Sequence, residues 1–322
     1  MGTKGSLVPA AASPPPSPAE GPVVVSYGTR ASSTRVVARG PHRFHWYRTP
    51  GESTVKASYH DLPSALFDPF RATRTPAVRF ALPEAAADGD QSYVLPDAVS
   101  IGWHLLTGAA VPRHYADVLG HVGEAVHALH HHASRGDPAR AVPWLRGLAR
   151  WLRTRPDPMA RHLLHHLGAR RHARLTRWAA EALAAPGGPL LGTVTPGTIV
   201  VDRRDRTAHL LVTPEAGHGA AVLDLGTLAE ALSTSLDVAS RGAHRAPENL
   251  AYGLLWDAFL AGYGPSPGPD ALSHAVALRR VHRLRGIEAH LGDNAFLQEQ
   301  LDALPELVDQ PGQLLIPNAR RH

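Results

Sequence analysis

The order of secondary-structure patterns along the chain constrains its fold more than any other feature. Residues 23–97 are rich in β-branched and aromatic residues punctuated by turn residues, which is typical of strands. From residue 114 onward, apolar residues recur at spacings of three and four, which is typical of amphipathic helices. One pair of short strands, 198–201 and 209–212, interrupts the helical part. This order predicts an α+β fold with a small β-rich lobe followed by a larger helical lobe.

The same patterns divide the chain into three parts. The first residues are rich in Pro, Ala and Ser and have no apolar periodicity, which predicts a disordered tail. A helical segment at 62–71 and a turn at 88–90 separate the strands of the β-rich part. The predicted parts are a tail over 1–22, an N-terminal lobe over 23–97 and a C-terminal lobe over 98–322.

Composition excludes several classes of protein. The chain has 322 residues and no cysteine, so disulfides, thiolate metal sites and a cysteine nucleophile are excluded. It has neither an apolar run long enough to span a membrane nor the pattern of a secretory signal, so we predict a cytoplasmic protein. The formal net charge of +5 comes almost entirely from arginine. That excess indicates either the codon usage of a GC-rich genome or an anionic partner.

The segment from Pro189 to Asp202 reads PLLGTVTPGTIVVD. Two apolar runs flank a tight turn at Pro196-Gly197, and the charged turn DRRDRT then leads to another strand. Such a segment is typical of a loop that carries phosphoryl-transfer chemistry, but it also fits a plain hairpin of an unrelated α+β protein.

The element order and three local matches together resemble the aminoglycoside phosphotransferase and choline kinase family, which has a protein-kinase-like fold. The matches are QSYVLPDAVSIGWHLL, similar to the hinge strand and the segment after it; GEAVHALH, similar to a helix ending in Leu-His; and LLWDAFLAGYG, similar to a late helix with Phe-x-x-Gly-Tyr. The resemblance covers residues 23 to about 290. It implies a two-lobed fold with a β-rich N-lobe, a helical C-lobe and a cleft between them.

The resemblance also implies where the kinase machinery would lie. Active members carry His-Gly-Asp, four variable residues and Asn in the catalytic loop, and a metal-binding Asp after the next strand. The matching positions here hold Thr193, Thr198 and Val212, none of which can serve as a carboxylate base or metal ligand. Asp224 matches a structural Asp, which we expect to accept hydrogen bonds from backbone amides of the loop. The resemblance therefore implies a degenerate, pseudokinase-like protein with no cofactor and no metal.

The third strand of the family carries a lysine that binds the nucleotide phosphates. The matching position holds Tyr47, with Arg48 beside it, although a shifted alignment would bring Lys56 into that role. In an alternative interpretation the protein is an active small-molecule phosphotransferase whose metal ligands have moved, with Asp202 or Glu215 holding Mg²⁺.

A remodelled cleft has its own candidate catalytic residues. His218 lies between two glycines just after the second hairpin strand, so we predict that it faces the cleft, where an imidazole could transfer protons near neutral pH. It also fits an ordinary loop histidine. Glu215, Tyr47, Trp46 and Arg48 are further cleft candidates on the same topological argument.

The resemblance implies several functions for such a protein. Members of the family occur in bacterial natural-product pathways that modify ribosomally made peptides, and a degenerate member could bind a lanthipeptide-like precursor in its cleft. It would then assist thioether ring closure as a metal-independent cyclase or lyase, or support an active kinase-like or lyase partner. The alternatives are the active phosphotransferase and a non-catalytic scaffold for an acidic partner.

The helix over 159–185 presents a basic face. Arg170, Arg174 and Arg177 lie at i, i+4 and i+7, which indicates either a solvated face or a docking surface for an acidic peptide. Aromatic residues make up only 6% of the chain and do not interleave with basic residues, so we predict no nucleic-acid partner. The abundant histidines lack a third ligand in metal-binding spacing, so we predict no metal site.

Overall fold

A computed structural model describes most of the chain. The described residues are 21–28, 32–50, 64–85, 91–107, 115–132, 140–241, 250–265, 267–292 and 294–310. The predicted tail up to residue 20, Lys56 and the predicted turn at 88–90 lie outside them.

The first lobe is built on a five-stranded antiparallel sheet in the order β1-β2-β3-β6-β5. The strands are β1 (Val23–Gly28), β2 (Ser32–Gly40), β3 (Arg43–Pro50), β5 (Glu84–Ala85) and β6 (Gln91–Leu95). A tight turn joins β2 to β3, and His42 adopts the left-handed backbone conformation there, with φ of 57°. Successive side chains of a strand alternate between the two faces of the sheet, so Val36, Trp46 and Tyr93, which are cross-strand neighbours, share one face.

Between β3 and β5 the chain forms a short 3-10 helix (Ser64–Leu66), helix α1 (Asp68–Ala72) and strand β4 (Val78–Ala81). β4 does not join the five-stranded sheet. It pairs in parallel with β9 (Ala208–Leu211), whose other neighbour is β8 (Ile199–Val201). A strand from the β-rich half of the sequence thus extends the β8–β9 hairpin of the helical half into a three-stranded sheet.

The second lobe is predominantly helical, and helix α2 begins at Ile101, six residues after β6 ends. The helices are α2 (Ile101–Thr107), α3 (Ala116–His130), α4 (Pro143–Thr154), α5 (Pro158–Ala184), α6 (Val222–Arg241), α7 (Leu250–Tyr263), α8 (Pro269–Leu291), α9 (Ala295–Asp302) and α10 (Leu304–Asp309). Their apolar faces form the main core, which includes the fully buried Leu148, Trp151 and Trp256. Among the helices that the structure describes, none combines the length and apolar character needed to cross a membrane.

Helix α5 is interrupted where the apolar periodicity predicts a continuous helix. Gly168 has φ of 75° and ψ of 160°, a conformation that side-chain-bearing residues rarely adopt, so the helical backbone stops there and restarts at Ala169. The arginines predicted to share a face therefore all lie on the second part of α5, whereas Leu163 and Leu167 lie on the first.

Two further short strands frame the loop between α5 and β8. β7 (Gly188–Leu190) pairs with β10 (Gly217–Gly219), and neither strand is predicted from the sequence pattern. Between β7 and β8 the chain turns through residues 191–195 and a one-turn 3-10 helix, Pro196–Thr198. The loop over 191–198, called the central loop below, therefore lies beside both small sheets.

Candidate functional site

The central loop is held in shape by its own hydroxyl groups. Thr198 Oγ1 lies within donating distance of two carbonyl oxygens, that of Thr193 at 3.0 Å and that of Thr195 at 2.9 Å. It also accepts a hydrogen bond from the backbone amide of Thr195 at 3.1 Å. Thr198 is only 3% exposed. Its hydroxyl is thus engaged within the loop and has little capacity left for an external ligand.

A buried carboxylate anchors the same loop from below. Asp224, at the start of α6, accepts hydrogen bonds from the backbone amides of Leu191 at 2.8 Å and Gly192 at 2.7 Å. It also lies 3.1 Å from His130 Nε2, while His130 Nδ1 lies 3.0 Å from the hydroxyl of Tyr263. Burial, with the nearby Asp224 charge, raises the pKa of Tyr263 to about 12, so this hydroxyl is protonated and can donate to Nδ1. The prediction that Asp224 binds loop amides is confirmed.

The loop also makes a close backbone approach to the segment after β9. Gly192 has φ of 69°, and a Cβ there would lie 1.9 Å from the carbonyl oxygen of Glu215, so only glycine fits. On the same side, the hydroxyls of Thr193 and Thr213 lie 3.5 Å apart. Two neutral hydroxyls thus face each other where the loop meets the end of β9.

Val212 follows β9 and is fully buried. Its amide donates to the carbonyl of Ala81 at 3.0 Å, and its carbonyl oxygen lies 2.9 Å from the hydroxyl of Tyr93 in the five-stranded sheet. Val212 therefore contributes backbone contacts that join the two lobes.

The two lobes also meet through apolar side chains. Val36, Trp46, Tyr93 and Leu95 from the five-stranded sheet form a buried cluster, called the interlobe cluster below, with Val200 of β8 and Leu211 of β9. Trp46 is 1% exposed, and its indole nitrogen donates to the carbonyl of Asp97 at 2.9 Å. Side chains of the two lobes thus pack against each other between the five-stranded sheet and the β8–β9 hairpin.

The strand register separates Tyr47 from Arg48. Arg48 pairs with Thr34 and Gln91, so by strand alternation it lies on the same face as Trp46. Tyr47 lies on the opposite face, where the Arg35 guanidinium is 4.8 Å from the centre of its ring. Arg48 is therefore the cation on the face of β3 that carries Trp46 and turns toward the hairpin, and the match of Tyr47 to the phosphate-binding position stays a prediction.

The two acidic residues considered as moved metal ligands are engaged elsewhere. Glu215 Oε2 accepts from the Trp144 amide at the start of α4, at 2.8 Å, and burial raises the pKa of Glu215 although Arg279 lies nearby. Asp202 binds the amide and guanidinium of Arg204, whose hydrogen bond lowers the pKa of Asp202 to about 2. Asp202 follows the end of β8 that is remote from the central loop, roughly 10 Å along the strand.

His218 lies on β10 opposite Pro189 and is 7% exposed. Its carbonyl oxygen accepts from the amide of Val142 at 3.3 Å, so the residue lies between β7 and the chain leading into α4. This position is among the short strands of the helical lobe, and a proton-transfer role for the imidazole in the cleft stays a prediction.

The arginines of α5 have different surroundings. Arg174 donates to the carbonyl of Val308 at 2.8 Å, and Arg177 forms an exposed ion pair with Glu181 at 3.5 Å. Arg170 is exposed beside the break in the helix. Of the three arginines predicted to form a docking face, Arg174 is thus bound to α10.

No group of three or more His, Asp or Glu side chains that could hold a metal ion is found within the described ranges.

The sequence pattern did not predict that Tyr93 and β4 contribute to the site. The strand prediction for QSYVL carries a signal for Tyr93, because residues two apart in a strand share a face and Tyr93 therefore lies on the same face as Leu95.

Comparison with solved structures defines the fold. An amicoumacin kinase in complex with AMP-PNP and Ca²⁺ has 13% sequence identity, the match covers 94% of this chain and 91% of that chain, and the TM-score is 0.55. A choline kinase from Streptococcus pneumoniae has 9% identity, with 89% and 94% coverage and a TM-score of 0.52. No protein-family model matches the sequence, and no curated protein is significantly similar to it. The chain therefore has the two-lobed, kinase-like fold of these two kinases.

Proposed function

We propose that this chain is a kinase-fold protein that does not transfer phosphate and that acts by binding a peptide or a partner protein. The observation that carries the proposal is the interlobe cluster. In kinase folds the nucleotide lies between the lobes, its phosphates near a lysine of the third strand and metal ions held beside the catalytic loop. Here Trp46 and its neighbours occupy the space between β3 and the β8–β9 hairpin.

The energetic cost of opening that space supports the proposal. An indole side chain buries about 150–250 Å², so exposing it costs about 4–6 kcal/mol at ~25 cal/mol per Å². A dissociation constant of 1 mM corresponds to only about 4 kcal/mol of binding free energy. A nucleotide that had to displace Trp46 would lose about as much free energy as a millimolar ligand gains.

The chemistry of the central loop also supports it. Thr193 and Thr198 are neutral at physiological pH, Thr198 is already hydrogen-bonded within the loop, and Val212 offers no side-chain oxygen. A phosphoryl-transfer site needs a carboxylate to orient the acceptor and oxygen ligands for the metal ions. The residues at these positions supply neither.

The finer role follows from the resemblance and is part of the same proposal. We propose that the partner is a precursor peptide of a lanthipeptide-like pathway, or an active kinase-like or lyase enzyme that modifies it. Any chemistry at the site, such as thioether ring closure, would then need positioning and proton transfer and no nucleotide.

An isothermal titration with ATP and Mg²⁺ at millimolar concentration tests the proposal. We expect no saturable heat, and no phosphate transfer to glucosamine, choline or an aminoglycoside. The active phosphotransferase is the second candidate, since a solved structure with this fold is a kinase in complex with AMP-PNP. Saturable 1:1 binding would establish nucleotide binding and refute the proposal. Its loss in Glu215→Ala or Asp202→Asn would then identify the moved metal ligand.

A further inference from the structure

The break in α5 opens a cavity of about 340 Å³ on the surface of the helical lobe. It lies at the junction between the two parts of α5 and the end of α10. Its lining consists of Leu167, Gly168, Ala169, Arg170, Arg171 and Asp309. Two arginines, one carboxylate and small apolar groups therefore surround one opening.

Asp309 shows how this cavity holds a carboxylate. Arg171 donates to Asp309 Oδ2 from Nε at 2.8 Å and from Nη2 at 2.6 Å, and Arg174 Nη1 lies 3.3 Å from Asp309 Oδ1. The hydrogen bond from Arg171 lowers the pKa of Asp309. Short contacts of this kind are typical of charge-assisted pairs, so these guanidinium groups are already oriented for a carboxylate.

The cavity retains a cation beyond this pair. Within the part of the chain that the structure describes, the guanidinium of Arg170 forms no hydrogen bond or ion pair, and it acts on Asp309 only through its charge, which lowers the pKa of that carboxyl together with the charges of Arg171 and Arg174. The second part of α5 carries four arginines, at 170, 171, 174 and 177, and ion pairs join the last three to Asp309 or Glu181. An anionic ligand would complement the guanidinium of Arg170.

We propose that this cavity binds a carboxylate side chain of an acidic peptide segment, with Arg170 as the docking cation and Asp309 as an internal carboxylate that competes for Arg171. The inference rests on the proposed function, because it identifies the chemistry of the binding partner. The exposed methyl group of Ala169 provides an apolar contact for the methylene groups of a glutamate. Arginine forks match the planar geometry of a carboxylate, so an acidic peptide fits both the charge and the shape.

Fluorescence anisotropy with a labelled hexaglutamate peptide at low salt tests the proposal. Arg170→Glu reverses one charge at the cavity, and Arg153→Glu makes the same charge change on the exposed face of α4. We expect Arg170→Glu to weaken binding by about tenfold, as for loss of one charge-assisted contact, and Arg153→Glu to change it by less than about twofold. Thermal unfolding of both variants should match that of the parent protein, since both side chains are exposed.

Asp309→Asn provides the second arm. If Asp309 competes with the peptide, neutralising it should tighten binding by about threefold to tenfold, because Arg171 becomes available. Equal weakening by Arg170→Glu and Arg153→Glu would show that hexaglutamate responds only to net charge and would overturn the proposal. So would unchanged or weaker binding to Asp309→Asn in a sample that unfolds cooperatively, or selective binding of a phosphopeptide or an RNA oligonucleotide in place of hexaglutamate.

The two proposals fail separately. Saturable nucleotide binding together with Arg170-dependent peptide binding would refute only the proposed loss of phosphate transfer. A flat nucleotide titration together with equal effects of the two charge reversals would refute only the assignment of the cavity.

Discussion

Trp46 is the side chain whose replacement most directly tests the packing between the lobes. It is 1% exposed and belongs to the interlobe cluster, which also contains Leu211 of the hairpin. Replacing a buried tryptophan with alanine removes most of its apolar contacts and leaves a cavity, which typically costs about 3–5 kcal/mol of unfolding free energy. We expect Trp46→Ala to fall in that range.

A double-mutant cycle separates the contact between lobes from stability within one lobe. Side chains that share a cluster typically couple by about 0.5–3 kcal/mol, whereas distant side chains couple by less than about 0.5 kcal/mol. We therefore expect a coupling free energy above ~0.5 kcal/mol between Trp46→Ala and Leu211→Ala. The matched control is Leu148→Ala, because Leu148 is fully buried in α4 within the separate main core.

The unfolding free energies are measured by urea denaturation followed by far-ultraviolet circular dichroism, with m-values compared across the variants. If Trp46 couples to Leu211 no more strongly than to Leu148, the indole does not join the two lobes. The proposed function depends on the free energy needed to separate Trp46 from the hairpin, and that part of the proposal would then be refuted.

Two further predictions concern stability. Burial, with Arg279 nearby, lowers the pKa of His282 well below 6.5. Below about pH 6.5 the imidazole of the unfolded chain therefore binds a proton that the folded protein does not bind. His282 thus contributes to stability above that pH, and this contribution is lost as the pH falls. Melting temperatures at pH 7.5, 6.5 and 5.5 should decrease, and less steeply in His282→Leu; equal slopes would contradict this. Gly192→Ala should lower the free energy of unfolding by more than about 1 kcal/mol, as measured by urea denaturation. Gly147 is exposed in α4, and a Cβ there would have nothing within 4 Å, so Gly147→Ala should raise the free energy of unfolding by about 0.5–1 kcal/mol. Similar effects of the two changes would refute the close backbone approach at Gly192.

Local patterns in the sequence were enough to predict the β-rich and helical halves and the hairpin after the central loop. They also identified Asp224 as a loop anchor, although only through the resemblance to a kinase fold. These features depend on periodicity and turn residues within short segments, and such signals are present in the sequence itself. The break in α5 was missed because Gly168 within an apolar periodic segment is compatible with a helix until its neighbours are known.

The remaining features depend on contacts between distant segments, which only the tertiary structure decided. The register of β3 against β6 determines that Arg48, rather than Tyr47, shares the inner face of the sheet, because a shift of one residue moves a side chain to the opposite face. The parallel pairing of β4 with β9 and the packing of Trp46 with the hairpin join residues more than 120 positions apart. Likewise, the sequence determined that α5 carries a row of arginines, but the position of α10 decided which of them hold Asp309, because that carboxylate comes from a segment more than 130 positions away.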